Sequence, residues 1–308
     1  MVSLDQLRVL RAVARHGSLG SAARALNLSQ PTLSHHLAAI EAIVGGRLVE
    51  RSPRGSRLTE LGELALVHAE AILDRADAAE RELRDHARHG AAIVQAGTFP
   101  SAGAVLMVPS LGCLGGDGAA YHLTVAESPE LAEQLREGRL HIALLLSEPD
   151  IPVLLGEDIA SEPLMDDPLV VLLPPGHPAA DQEVVPLASL AGETWISGVS
   201  DDDPPHREII RAYREQGIDV RVGPRVDDYA VTEALVAAGL GVSLMPMIAL
   251  DQLSGTVVTR SLADGRFARR IHVAWHTRPR RPAVERLVAE LRAAAARLVG
   301  ESRWPVSG

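Results

Sequence analysis

The sequence has 308 residues, of which 46% are hydrophobic but only 3% aromatic, so it is long enough for two or three domains with cores of Leu, Val and Ala. The formal net charge is −10, and the single cysteine, Cys113, leaves no intramolecular disulfide and no two-cysteine redox switch. No apolar run approaches the roughly 18 residues that span a membrane, and no signal-peptide segment opens the sequence, so we expect a cytoplasmic protein without membrane contact.

Residues 17–41 are predicted to form two short helices joined by a tight turn. Ser18 can cap the first helix and Ser29 the second, which has Pro31 in its first turn, where a missing backbone N–H costs little. The buried side of the second helix is predicted at Leu33, Leu37 and Ile40. The positions left exposed are Gln30, Thr32, Ser34, His35 and Ala38. Amide, hydroxyl and imidazole groups at the start of an exposed helix can meet base edges and phosphates in a major groove.

A basic hairpin is predicted to follow, with Pro53 and Gly55 at its turn. Its arginines are Arg47, Arg51, Arg54 and Arg57. Residues 1–58 hold eight arginines and three carboxylates, a net charge of +5, although the whole chain is acidic. The hairpin is either an ordinary solvated loop or a wing that lies along a phosphate backbone, and this segregation of charge is typical of a nucleic-acid reader joined to another domain.

Residues 59–89 have the pattern of one long charged helix, which Thr59 can cap. A row of positions recurs along it every three or four residues, at Leu61, Leu64, His68, Ile72, Arg75, Ala79 and Leu83. One helix cannot bury such a row by itself. It lies either on its own domain or on a partner helix.

From about residue 92 the pattern changes to short apolar runs that alternate with helical segments, which indicates α/β subdomains with mainly parallel sheets. Two such units can be drawn, between which the chain would cross twice. The first, lobe I, takes about 92–165 and 269–299, and the second, lobe II, takes about 166–268.

Four strand-to-helix junctions of this α/β region are candidates for a ligand site, because ligands sit beyond the carboxyl ends of strands, where helices begin. The polar or turn residues at these junctions are Thr98, Ser101, Ser128, Ser197, Gly198, His206, Val226 and Asp227. Ser128 is predicted to cap a helix with Pro129 at its first position. Each hydroxyl is equally consistent with a helix cap or a turn. Helix N-termini favour an anion, whereas the aspartates at 201–203, 227 and 228 oppose one.

The order of these features resembles the LysR-type transcriptional regulators. The likeness is close over residues 1 to about 65, in an apolar opening helix, GSLGSAARALNLSQPTLSHHLAAIE, a glycine pair, RLVERSPRG and LTELGE. It is looser beyond, in the order of strands, helices and glycine turns.

The resemblance implies a fold of three parts: a winged helix-turn-helix at 1–58, a dimerisation helix at 59–89, and a two-lobed α/β effector domain at 92–303 related to periplasmic binding proteins. The implied DNA contacts are Gln30, Pro31, Thr32, Ser34, His35, Arg51, Arg54 and Arg57. The implied effector contacts, in a cleft between the lobes, are Thr98, Ser101, Ser128, Ser197, Gly198 and Val226. The expected partners are a dyad-symmetric operator in double-stranded DNA, a small polar or anionic effector, and further copies of the chain in a homodimer or homotetramer.

Two other classes compete with this interpretation. A solute-binding protein of the periplasmic type would carry a signal peptide, and an α/β enzyme would more often carry a GxSxG, a GxGxxG or a phosphate-loop lysine; the chain has none of these and no lysine at all. The pairs His86/His89 and His272/His276 have no cysteine or carboxylate set at ligand spacing. We therefore expect neither a metal nor another cofactor.

Overall fold

The structure, a computed structural model, describes residues 1–52, 55–89, 93–117, 120–147, 155–156, 158–199, 204–263 and 267–300. It divides into two compact units, one of Met1–Ile93 with Glu137–Arg139 and one of Val94–Arg136 with Leu140–Gly308. Within the described ranges, no helix is both long enough and apolar enough to cross a membrane.

In the residues that the structure describes, the first unit contains four helices and a two-stranded hairpin: α1 (Leu4–His16), α2 (Leu19–Ala25), α3 (Gln30–Val44), β1 (Val49–Ser52), β2 (Gly55–Leu58) and α4 (Glu60–His89). Local side-chain caps begin the helices. The hydroxyl of Ser18 accepts from the N–H of Ser21, and the hydroxyl of Ser29 accepts from the N–H of Thr32. The hydroxyl of Thr59 accepts from the N–H of Gly62 at 3.0 Å, so the predicted caps are confirmed.

The core of the first unit joins the helices to the hairpin and to one side of α4. It includes Leu10, Leu33, Leu37, Leu48, Ala69 and Leu73. A Cβ atom on Gly62 would lie 2.0 Å from the carbonyl oxygen of Leu48, so only glycine lets the start of α4 approach the hairpin this closely.

Within its described ranges, the second unit contains ten strands: β3 (Val94–Thr98), β4 (Tyr121–Val125), β5 (Ile142–Ser147), β6 (Ile159–Leu173), β7 (Val184–Val185), β8 (Thr194–Ser197), β9 (Arg221–Arg225), β10 (Val242–Pro246), β11 (Val258–Leu262) and β12 (Ala268–His276). Their main order is β4-β3-β5-β12-β6-β10-β8-β9, with β11 on β6 and β7 on β11. Its α-helices are α5 (Pro100–Ala102), α6 (Val108–Leu111), α7 (Ser128–Arg136), α8 (Pro204–Glu215), α9 (Tyr229–Ala237) and α10 (Pro282–Gly300).

Two separate apolar cores give this unit its two lobes. One core includes Leu106, Leu144, Ile271, Leu287 and Leu291. The other includes Val171, Leu173, Trp195, Tyr213 and Val242. The fold class predicted from the sequence, a helical winged head and a two-lobed α/β unit, is confirmed.

The expectation of mainly parallel sheets holds only in part, because the ten described strands form one mixed sheet, in which β3 pairs parallel with β4 and β5, and β8 pairs parallel with β9 and β10. β6 pairs antiparallel with β12, β10 and β11, and β12 also pairs antiparallel with β5. The antiparallel pairings arise where the chain crosses between the two lobes. The 15-residue strand β6 pairs with β12 in its first part and with β10 in its last part, so it passes from one core to the other without the helical crossover that parallel neighbours need.

Candidate nucleic-acid interface and ligand cleft

The start of α3 presents a cluster of polar side chains. Gln30, Pro31, Thr32 and His35 are exposed, and Ser34 is half-buried. The other side of the helix buries Leu33, Leu37 and Ile40, so the predicted division of the helix into a buried and an exposed side is confirmed. The hydroxyl of Thr32 lies 2.7 Å from that of Ser29, which leaves Gln30, Ser34 and His35 as the polar groups best placed to meet a base.

The hairpin β1–β2 is held against two helices. One carboxylate oxygen of Glu41 in α3 accepts hydrogen bonds from the N–H groups of Leu48 and Val49, at 2.8 and 3.3 Å. The N–H of Ser56 donates to the carbonyl oxygen of Gly17, which follows α1, at 2.8 Å. The hairpin therefore has a fixed position relative to α3.

Two of the predicted wing arginines, Arg51 and Arg57, lie on the strands of this hairpin. Arg57 is exposed and pairs in register with Glu50, and Arg51 pairs with Ser56. Arg54 lies outside the described residues.

Helix α4 carries an apolar row that its own unit leaves uncovered. Ala69 and Leu73 are fully buried, but Leu64 is 58% exposed and Leu83 is 71% exposed. The same exposed row includes Leu61, Val67 and Ile72. Isolated apolar side chains on a surface are common, but a row along a 30-residue helix is typical of an interaction surface.

The second unit encloses a cavity of about 1280 Å³ between side chains of its two cores. Its wall is built from strand ends and helix starts, and five of the six predicted contact residues line it: Ser101, Ser128, Ser197, Gly198 and Val226. The sequence therefore located the cavity by its strand-to-helix junctions, where backbone N–H groups at helix starts are available to a ligand.

Thr98 is the exception among the six. Its side chain is fully buried, it is absent from the cavity wall, and its hydroxyl donates to the carbonyl oxygen of Phe99 at 3.2 Å. The alternation of side chains along β3 turns Thr98 into the core, whereas Ser101 in α5 reaches the cavity.

The role predicted for Ser128 as a cap is wrong. Ser128 is the first residue of α7, and the carbonyl oxygen of Glu127 before it accepts from Leu131. The hydroxyl of Ser128 accepts a 2.9 Å hydrogen bond from the N–H of Leu146 in β5. It thus ties the start of α7 to the end of a neighbouring strand.

The cavity wall is rich in hydrogen-bond donors. The oxygen of Ser101 accepts from Nη2 of Arg269 at 2.6 Å and that of Ser128 accepts from the N–H of Leu146, and a hydroxyl that accepts a hydrogen bond can still donate its own hydrogen. The buried Oγ of Ser197 has no hydrogen-bond partner in the part of the chain that the structure describes.

The aspartates of the wall are largely engaged by the backbone. Asp228 caps α9 by accepting from the N–H of Val231, and Asp227 accepts from the N–H of Val199 at 2.7 Å. The aspartates at 201–203 lie outside the described residues.

A buried ion pair that the sequence did not predict lies beside the cavity. Nε of Arg269 lies 2.9 Å from Oδ2 of Asp167, whose Oδ1 accepts from the N–H of Ile248. Burial raises the pKa of the Asp167 carboxyl, and the guanidinium opposes that rise. The sequence did contain an indication of this ion pair. Asp167 directly precedes the apolar run PLVVLL, and a carboxylate buried with such a run is expected to need a partner of opposite charge.

His272 and His276 each lie beside a different hydrogen-bond partner. Nε2 of His272 lies 2.9 Å from the hydroxyl of Ser147, whereas Nε2 of His276 lies 2.7 Å from the carbonyl oxygen of Leu135. The searched part of the chain, which is the described part, contains no group of three or more His, Cys, Asp or Glu that could hold a metal ion. The side chains of His86 and His89 lie outside it.

A winged helix-turn-helix with a basic hairpin, together with a two-lobed unit around a cavity, defines a ligand-responsive DNA-binding regulator. Residues 4–63 match the family described as bacterial regulatory helix-turn-helix protein, lysR family, and residues 93–296 match the LysR substrate binding domain. The chain belongs to the LysR family of DNA-binding transcriptional regulators.

Individual relatives agree with this assignment. The chain is 30% identical to the RuBisCO operon transcriptional regulator of Allochromatium vinosum over 81% of each chain. It is 33% identical to a probable hydrogen peroxide-inducible genes activator of Mycobacterium avium, over 79% of this chain and 78% of that one. The fold is similar to full-length CbnR complexed with its target DNA, with a TM-score of 0.64 and 22% identity over 95% of this chain and 99% of that chain.

Proposed function

We propose that the regulator reads a dyad-symmetric operator with the start of α3 and holds the duplex with its hairpin. The base-reading group is Gln30, Pro31, Thr32, Ser34 and His35, and the phosphate-binding group is Arg51, Arg54 and Arg57. The exposed N-terminal turn of α3 supports the first group, since base edges are read by short polar side chains at such a turn. The net charge of +5 over residues 1–58 supports the second.

The cavity of the second unit is the proposed effector site, with Ser101, Ser128, Ser197, Gly198 and Val226 as contacts. The hydroxyls of Ser101 and Ser128, which can still donate, and the N-terminus of α7 favour a small polar or anionic molecule. The effector acts as a signal rather than as the substrate of a reaction, by shifting the population of lobe arrangements and so the presentation of the DNA-binding heads.

The working species is at least a homodimer and, with further contacts, a homotetramer that works on chromosomal DNA in the cytoplasm. The exposed apolar row on α4 supports this assembly, because it stays in water unless another subunit covers it. The functional boundaries follow as 1–58 for DNA binding, 59–89 for dimerisation and 92–303 for effector binding.

The donor-lined cavity is the observation that carries the ligand-responsive function. The test is a metabolite screen by melting temperature on the full chain, followed by fluorescence anisotropy on the DNA that the protein occupies in a genome-wide footprint. We expect at least one compound that raises the melting temperature and also changes the affinity or footprint at that DNA. Compounds that stabilise the protein without changing either property would contradict an effector role.

A further inference from the structure

Arg269 and Asp167 lie directly opposite each other on the two strands that cross between the lobes. They are register partners on β12 and β6. Only 10% of the Arg269 side chain is exposed and none of the Asp167 side chain. A buried ion pair is expensive to build unless further hydrogen bonds satisfy both partners, so its place beside a cavity calls for a functional reason.

Three neighbours hold the Arg269 guanidinium in one orientation. Oδ2 of Asp167 accepts from its Nε at 2.9 Å, and the hydroxyl of Ser101 accepts from its Nη2 at 2.6 Å. The ring of Phe99 lies 5.2 Å from its central carbon, within the range of a cation–π contact. Asp167 is itself fixed, because its other oxygen accepts from the N–H of Ile248 at 3.0 Å.

One nitrogen of this guanidinium remains to bind a ligand. Arg269 lines the cavity, and its Nη1 has no hydrogen-bond partner among the residues that the structure describes. Like every guanidinium nitrogen, Nη1 can donate and cannot accept. The hydroxyl of Ser101, which lines the cavity and accepts from Nη2, can also donate its own hydrogen. A ligand group that meets both must therefore be an acceptor.

We propose that Arg269 is the specificity-determining residue of this cavity, whose Nη1 donates to a carboxylate or another acceptor-only anionic group of the ligand, and that Asp167 is the positioning residue that aims it. This inference rests on the proposed effector site. Both residues lie on β6 and β12, the strands that connect the lobes, so a ligand bound by Arg269 contacts this connection.

Trp195 allows this to be tested without knowing the effector, because it lines the same cavity. The probes are iodide, an anionic quencher of tryptophan fluorescence, and acrylamide, a neutral one, at constant ionic strength. The full chain carries Trp275→Phe and Trp304→Phe so that only Trp195 reports. In this background the parent is compared with Arg269→Gln, Asp167→Asn, the Arg269→Gln/Asp167→Asn double variant, and Arg211→Gln. The last is the matched control, since Arg211 lines the cavity but its side chain is 56% exposed.

The iodide quenching constant should rise about three-fold or more in Asp167→Asn, because the charge of the buried Arg269 side chain, once uncompensated, is poorly screened and attracts iodide into the cavity that Trp195 lines. It should fall in Arg269→Gln and stay within about two-fold of the parent in Arg211→Gln, where solvent screens the lost charge. Acrylamide quenching should not change. The effect of Asp167→Asn should vanish in the double variant, whereas a purely structural Asp167 would give the same change with or without Arg269.

Equal iodide constants in the parent, Arg269→Gln and Asp167→Asn, with Trp195 open to acrylamide, would overturn the role of Arg269 and leave the proposed effector site standing. If neither quencher reaches Trp195, which is only 3% exposed, the rise in melting temperature given by sodium acetate over sodium chloride at equal ionic strength decides instead. A larger rise in the parent than in Arg269→Gln supports the proposal, and equal rises overturn it. Circular dichroism and melting temperature verify folding. Should Arg269→Gln not fold, Asp167→Asn decides alone: an increased iodide constant supports the proposal and an unchanged one overturns it.

Discussion

The N–H of Leu146 donates a 2.9 Å hydrogen bond to the hydroxyl of Ser128, so the end of β5 and the start of α7 meet at the cavity wall through one side chain. Ser128→Ala removes that acceptor and should lower the free energy of unfolding by about 1 kcal/mol. If the hydroxyl also donates to the effector, the variant should in addition show a smaller ligand-induced rise in melting temperature than the parent.

Thr98→Val is the matched control for Ser128→Ala. It also removes a hydroxyl at a strand-to-helix junction, but Thr98 is fully buried and does not line the cavity. Its stability should change while the ligand-induced shift stays as in the parent. Titration of all three proteins with a compound found by the melting screen makes the comparison. Equal shifts in the three would mean that the effector does not contact Ser128.

Gln30→Ala should weaken binding to the cognate operator and relax its sequence preference. Gln30 is the first residue of α3 and is exposed, and an amide that reads a base is worth about 1 to 3 kcal/mol of discrimination. Fluorescence anisotropy with cognate and scrambled duplexes measures both effects. The control is Gln216→Ala, an exposed glutamine of the second unit. Undiminished selectivity in Gln30→Ala would remove α3 from base reading.

Arg57→Ala should instead weaken binding to all sequences alike. Arg57 is exposed on the hairpin, and the loss of one phosphate contact reduces the slope of log affinity against log salt by about 1. Anisotropy across a salt series gives the slope, with Arg214→Ala, an exposed arginine of α8, as control. A slope equal to that of the parent would contradict a phosphate contact.

Leu64→Glu should dissociate the oligomer and leave the subunit folded. Leu64 is 58% exposed, so a glutamate there is tolerated in a single chain but would place a charge inside a subunit interface. Analytical ultracentrifugation at micromolar concentration measures the change, and Glu63→Gln, the exposed neighbour, is the control. If Leu64→Glu sediments like the parent, the exposed row of α4 does not join subunits.

Features that depend on near neighbours in the chain could be predicted from the sequence. Ser18 and Ser29 each accept from an N–H three residues ahead, so helical spacing was enough to find these caps and the exposed side of α3. The hairpin followed from its turn residues and its charges. The order of strands and helices located the cavity wall for the same reason, because a junction is a local feature.

Contacts across the sheets could not be predicted in this way. The partner of Ser128 is Leu146, 18 positions away, and Asp167 meets Arg269 across 102 positions. Both contacts depend on which strands are neighbours and in what register, which the spacing of residues along the chain does not encode. The prediction for Thr98 was wrong for a similar reason. Neighbouring side chains of a strand point to opposite faces, so a difference of one position decides whether a side chain lies in the core or at the cavity.

His272 should make the free energy of unfolding fall as the pH falls below neutrality. Burial disfavours the imidazolium and the nearby Arg270 repels it, so the pKa of His272 is lowered, although Asp166 opposes the shift. The folded state then binds fewer protons than the unfolded chain, whose histidine has a pKa of about 6.5. Stability should therefore be lost as the pH drops through that value towards the folded pKa.

His272→Gln, which can still exchange a hydrogen bond with Ser147, should reduce the pH dependence of the free energy of unfolding, measured in urea, between about pH 7 and pH 5. The control His122→Gln, at an exposed position of β4, should leave that pH dependence unchanged. If the two variants have the same pH slope as the parent, the acid loss of stability comes from other groups.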